Sequence, residues 1–128
     1  SAYPFFHYPA SAVITASVSP SAIIGSRICP PVDIASYISV NPDIIVSGGA
    51  TGADAYAKEY AIKNNIPIVE YLPEYWKYGR RAPIMRNIQI VENCDFLLAF
   101  WNGHSRGTKF TINYARKKGI PYKVIDIA

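Results

Sequence analysis

The sequence predicts an α/β domain built on a mainly parallel sheet, and three observations predict it. From residue 21 onward, short apolar runs alternate with amphipathic stretches. That rhythm is what parallel strands joined by helices produce. The chain holds 18 Ile against three Leu (Leu72, Leu97 and Leu98). Such β-branched richness favours strands buried on both faces over a helical bundle. Finally, three of the apolar runs are followed by glycine-rich turns, where the backbone can bend sharply. With 128 residues, half of them hydrophobic, the chain has the size of one domain with one packed core.

Each element follows in order. Residues 21–25 (SAIIG) form the first strand, ended by a glycine. Residues 33–39 form a short helix after Pro30-Pro31, since prolines suit a helix start. The second strand, 43–47 (DIIVS), runs into Gly48-Gly49, and a helix follows over 53–65 with Ala53, Ala57, Tyr60 and Ala61 on one face. Residues 67–72 are the third strand. Residues 73–82 (PEYWKYGRRA) are a loop with three aromatics and three cations. Pro83 opens a helix with Ile84, Ile88 and Val91 on one side, and 95–101 (DFLLAFW) is the fourth and most hydrophobic strand. The last helix spans 108–118. Its final turn, Arg116-Lys117-Lys118, complements the negative helix end, and Gly119 closes it. Residues 122–127 are the fifth strand.

Right-handed crossovers restrict how such units assemble. The commonest open arrangement gives a Rossmann-like three-layer sandwich with a mainly parallel five-stranded sheet in the order 3-2-1-4-5. Strands 2, 1 and 4 are then neighbours, so the turns that follow them meet at one sheet edge, where such folds bind ligands. The domain is expected over 21–128, with 1–20 an extension to which no role is assigned. Residues 1–26 carry no charged side chain, and Pro4, Pro9 and Pro20 interrupt them. They lack the basic start of a signal peptide and the unbroken apolar run of a membrane span. Residues 11–17 (SAVITAS) are a candidate strand. No membrane association is expected.

The net charge of +4 is mild. It suits an anionic ligand without requiring nucleic acid. Cys29 and Cys94 are the only cysteines. They are too few for a disulfide framework, so reduced thiols and a cytoplasmic location are expected. The two histidines, His7 and His104, stand apart from other ligand types, and neither a metal nor a cofactor is proposed.

Five groups of residues carry candidate chemistry. In Ser47-Gly48-Gly49-Ala50-Thr51-Gly52-Ala53-Asp54, glycines at a strand end allow a phosphate to approach backbone amides at a helix start. The plainer alternative is a tight turn with Asp54 as a favourable N-terminal charge. In Ser105-Arg106-Gly107-Thr108, Thr108 either caps the last helix or donates to a phosphate. Gly25-Ser26-Arg27 gains its weight from lying beside the other two turns. Arg86 and Asn87 stand early in the helix that begins at Pro83, where an arginine opposes the helix dipole. A phosphate contact explains that placement, as does pairing with Asp95 or Glu92. Tyr75, Trp76 and Tyr78 either stack on a base or pack their loop against the domain.

These blocks occur in order: Ile24-Gly-Ser-Arg27, then Ser47-Gly-Gly-Ala-x-Gly-Ala-Asp54, then Tyr78-Gly-x-Arg-Ala82 with Arg86-Asn87, then Ala99-Phe-Trp-x-Gly-x-Ser-x-Gly-Thr108-x-x-Thr111. Together they resemble the YspA/YpsA-related branch of the SLOG superfamily, Rossmann-like relatives of the Lonely Guy and DNA-processing protein A families. The resemblance covers roughly residues 21–127. It implies a site for a nucleotide or nucleotide derivative, and a role as sensor or processor of it. Lonely Guy enzymes are phosphoribohydrolases whose hallmark is Pro-Gly-Gly-x-Gly-Thr-x-x-Glu with an Arg on the preceding helix. Arg86, Gly107 and Thr108 match that pattern, but Thr111 stands at the Glu position.

The function expected first is therefore binding or sensing of a nucleotide-derived, phosphate-bearing small molecule. A phosphoribohydrolase-like N-glycosidase is the alternative, with Asp54 the best catalytic candidate because ribosyl cleavage wants a carboxylate. Single-stranded DNA binding is a second alternative, weakly permitted by charge, and nucleic acid is the disfavoured partner. A homo-oligomer is compatible with this reading, and whether any catalysis occurs stays open.

Overall fold

The computed structural model describes residues 19–128 and the backbone of one short strand before them. Six strands follow in chain order: β1 (His7–Tyr8), β2 (Pro20–Gly25), β3 (Ile44–Ser47), β4 (Ile68–Glu70), β5 (Phe96–Trp101) and β6 (Tyr122–Asp126). They form one all-parallel sheet in the order β1-β4-β3-β2-β5-β6. The five strands expected from the sequence thus take the 3-2-1-4-5 order. The sheet has six strands rather than five, because His7–Tyr8 adds to the free side of β4. A two-residue strand is too short to show a period, and an edge position suits a segment flanked by Pro4 and Pro9. The candidate strand at 11–17 lies outside the described residues.

Alternation along the strands builds two cores, since successive side chains point to opposite faces. Ala22, Ile24, Val46, Val69, Leu97 and Ala99 face one way. They pack against α3 (Ala82–Glu92) and α4 (Arg106–Lys118) through Ile90, Val91, Ile112 and Ala115. Ile23, Ile45, Ile68, Leu98 and Phe100 face the other way, onto Ala53, Ala57 and Ala61 of α1 (Ala53–Lys63). The small alanines let α1 lie close to the sheet. The result is a Rossmann-like three-layer α/β fold, as the isoleucine-rich strands predict. Among the described residues no helix is long and apolar enough to cross a membrane.

Three local elements differ from expectation. The helix expected over 33–39 is a single 3-10 turn, Ile34–Tyr37. The expected loop 73–82 contains a short helix, α2 (Tyr75–Tyr78), and a 3-10 turn, Gly79–Arg81. The last helix starts at Arg106, and its cap is Ser105 rather than Thr108. Ser105 is extended (φ −60°, ψ 116°) and its hydroxyl accepts the Thr108 amide at 3.3 Å. Thr108 lies one turn inside the helix, so its hydroxyl is not the cap.

Candidate functional site: a cleft at the sheet edge

Because every strand is parallel, β2, β3 and β5 end at the same edge, and their three turns meet there. Ser26 joins them. Its amide donates to Phe100 O (2.9 Å), its carbonyl accepts from Ala53 (3.3 Å), and its hydroxyl accepts from the Asn102 amide (3.2 Å). One residue after β2 therefore ties the start of α1 and the turn after β5 into a single unit. Its burial at 1% exposure fits this structural part. Asn102 was not singled out in the sequence. Its side-chain oxygen also accepts the amides of His104 (2.8 Å) and Ser105 (2.9 Å), a local turn motif of the kind Asn forms.

The turns enclose a cleft of about 390 Å³. Gly25, Ser26, Arg27 and Gly48 line it from one side, and Arg86, Asn87, Ser105, Gly107 and Thr108 from the other. Asp54 lines it too. Ser47, Gly49 and Gly52 do not. Ser47 is fully buried beneath the turn. Gly49 faces Glu70 and Leu72, so the β3 turn contributes Gly48 to the cleft and not Gly49. Gly52 sits against the backbone of Ser26 and Arg27.

Arg86 is the central side chain. Helix side chains tilt toward the helix N-terminus, which sends this one back from α3 to the strand ends. Its Nη1 donates to Gly48 O at 2.8 Å and Tyr71 O at 3.3 Å, and its Nε to Asn87 Oδ1 at 2.9 Å. The residue is 9% exposed. It pairs with neither Asp95 nor Glu92, the two partners considered from sequence. Among the described residues its Nη2 has no hydrogen-bond partner, and Arg86 lines the cleft. Burial pulls its pKa down while the nearby Asp54 charge opposes that. An arginine stays protonated under such influence.

Asp54 is 7% exposed, and its carboxylate accepts the Ala50 amide at 3.1 Å. A Cβ on Gly48 would come within 2.5 Å of Arg86 Nη1 and 2.9 Å of Asp54 Oδ2. A side chain at 48 would therefore have to displace the guanidinium or the carboxylate, and glycine lets both close over the backbone. Burial, the largest effect, pushes the Asp54 pKa up. The Ala50 amide, Arg86 and Ser47 pull it down, and Glu70 adds to the rise. The Ser47 hydroxyl makes no hydrogen bond of good geometry, but it stands beside the carboxylate and favours its charged form.

This raised pKa gives a pH signature. Just above the ordinary 3.8, the folded chain holds the Asp54 proton while the unfolded chain has lost it. Stability contributed by this group therefore falls as pH rises through the folded-state pKa. Compared with Asp54→Asn, the parent should lose stability across that acidic window. Urea unfolding at several values from about pH 3.5 to 7 measures the difference. A parent that gains relative to the variant would mean that Arg86 and the amide outweigh burial.

The Asp54 carboxylate also decides which turn is open to an anion. It occupies an amide of its own glycine turn, so that turn already holds a negative charge. The start of α4 holds none. There the amides of Arg106 and Gly107 have no partner among the described residues, as the first helical amides lack one by geometry. Thr108 Oγ1 is 3.0 Å from Ser105 Oγ, and a Cβ on Gly107 would lie 3.7 Å from Asn87 Nδ2. Thr111 is 1% exposed, and its hydroxyl donates to Gly107 O at 2.8 Å. No group of three His, Cys, Asp or Glu suited to a metal ion occurs among the described residues.

The Gene 61 protein of Mycobacterium phage D29 is 37% identical to the chain over 84 residues, which cover 61% of this chain and 67% of the phage protein. The chain belongs to the family of that Gene 61 protein. No known protein-family profile and no solved structure matches it. The name of the Gene 61 protein carries no chemistry, so the function of this family member is argued from its own cleft.

Proposed function

We propose that the cleft binds or senses a nucleotide-derived, phosphate-bearing ligand. The phosphate sits at the start of α4, against the Arg106 and Gly107 amides, with Arg86, Asn87 and Thr108 beside it. One observation carries this reading: a buried arginine, 9% exposed, held by two backbone carbonyls, with one nitrogen unpaired among the described residues, beside a helix start whose first two amides are free. Burying a charge is costly unless it is paired, and an anion supplies the missing partner. A helix start and an arginine together are a common phosphate seat. The resemblance to the YspA/YpsA-related SLOG branch supports the same ligand class, and we extend the proposal to membership of that branch.

Binding is tested by thermal unfolding with a panel of nucleoside mono- and diphosphates, since a ligand of the native state raises the melting temperature. At a hundred times its Kd, a ligand adds about 2.7 kcal/mol. At least one nucleotide is expected to raise the melting temperature. A panel that leaves it unmoved at millimolar concentration overturns the reading.

The second reading, cleavage of a ribosyl bond, is favoured by one observation: Asp54 lines the same cleft as Arg86. Against it, the position where Lonely Guy relatives place glutamate holds Thr111, whose hydroxyl is spent on Gly107 O. A neutral hydroxyl cannot stabilise the cation-like transition state that a carboxylate supports. The expected result is that adenosine monophosphate incubated with the protein yields no free adenine by chromatography. Turnover that Asp54→Asn abolishes would instead establish the N-glycosidase.

A further inference from the structure

The segment between β4 and α3 exposes an unusual run of apolar surface. Leu72 is 57% exposed, Tyr75 58% and Trp76 83%. Aromatics of this kind normally bury most of their area, and a contiguous exposed group marks a contact site. Packing of the loop onto the domain, one of the two roles the sequence allowed, does not account for Tyr75 and Trp76. The segment begins beside the cleft's arginine, because Tyr71, the residue before Leu72, accepts from Arg86 Nη1 at 3.3 Å. Tyr75 and Trp76 open the short helix that follows, between Tyr71 and the α3 helix that carries Arg86. None of the residues lining the cleft itself is aromatic.

We infer that this Leu72–Trp76 segment is the base subsite of the ligand, with Tyr75 and Trp76 as the stacking surface for a planar heterocycle. The inference rests on the proposed phosphate seat and adds what the seat lacks. Phosphate contacts carry no information about the base, whereas every base has a face that stacks on an aromatic ring. Such stacking tolerates different bases, so the subsite selects nucleotides over sugar phosphates more than one base over another. Tyr75 supplies the inner surface next to Arg86, and Trp76 extends it outward. Both stand on a four-residue helix and contribute little to the core, so replacing them leaves the fold in place.

The test compares ribose 5-phosphate with the four common nucleoside 5′-monophosphates by calorimetry. The proteins are the parent, Tyr75→Ala/Trp76→Ala and Arg86→Lys. The parent is expected to prefer its best nucleotide over ribose 5-phosphate by about tenfold or more, the scale of one or two stacked bases. The double variant should lose that preference and keep its affinity for ribose 5-phosphate. Arg86→Lys should weaken both ligands together. Equal binding of the two ligands by the parent, or a preference untouched in the double variant, overturns the base subsite while the phosphate seat stands. Binding of neither ligand by the parent overturns the seat and the subsite with it.

Discussion

Replacing Arg86 with alanine is expected to weaken nucleotide binding by at least tenfold and to destabilise the fold by about 2–4 kcal/mol. The binding loss follows from the Nη2 group left to the cleft, since a charge-assisted hydrogen bond contributes about 1.5–3 kcal/mol. The stability loss has a separate origin. Nη1 satisfies the carbonyls of Gly48 and Tyr71, and each buried acceptor left without a donor costs about 1–3 kcal/mol. Asp54 would also lose its nearby positive charge. Arginine is suited to this double duty because its planar fork donates in several directions at once. Lysine retains the charge, but its single nitrogen cannot stand at the Nε, Nη1 and Nη2 positions at once, so Arg86→Lys should fall between the parent and alanine. Urea unfolding reports the stability, with a lower midpoint and an unchanged slope, and calorimetry reports the binding. An alanine variant as stable as the parent would show that the guanidinium does not hold the turns. One with unchanged affinity would move the phosphate elsewhere.

The other large effect is expected at Gly52. This residue has φ 73° and ψ −127°, a conformation that side-chain-bearing residues rarely adopt. A Cβ there would strike the backbone carbonyls of Ser26 and Arg27, which cannot rotate aside. Gly79 provides a matched control. Its angles are nearly the same, φ 58° and ψ −131°, but a Cβ there meets nothing within 4 Å. Gly79→Ala should thus cost only the backbone strain, on the order of 1–3 kcal/mol. Gly52→Ala should cost that plus a clash against rigid backbone, at least about 2 kcal/mol more, enough to unfold much of a marginally stable domain. Thermal unfolding of the two variants separates the contributions. Equal melting temperatures would mean that the turns after β2 and β3 separate easily, contrary to the hydrogen bonds through Ser26.

The fold class and the meeting of three turns were legible in the sequence, because both depend on local signals. Short isoleucine-rich runs report strands buried on both faces, glycines at their ends report sharp turns, and the handedness of crossovers leaves few ways to order such strands. Gly25, Asp54, Arg86, Asn87 and Thr108 could be nominated for the same reason: each stands where a strand ends or a helix begins. The use each residue makes of its place was not legible. Ser26 reads as one more polar residue in a turn, and only the crossing of two loops makes it their joint. Gly48 reads as a flexible glycine, but its importance is the room it leaves for Arg86 and Asp54, which come from different helices. Which of the three turns keeps free amides was also hidden. It depends on the Asp54 carboxylate bending back onto the Ala50 amide, and on Ser105 rather than Thr108 capping α4. The two-residue strand at His7 has no period of its own, so its pairing with β4 is a property of the sheet edge. Sequence by itself determined where the strands and turns lie, and hence the α/β order. Tertiary structure decided which polar groups face one another across the cleft, because those distances are set by the packing of elements far apart in the chain.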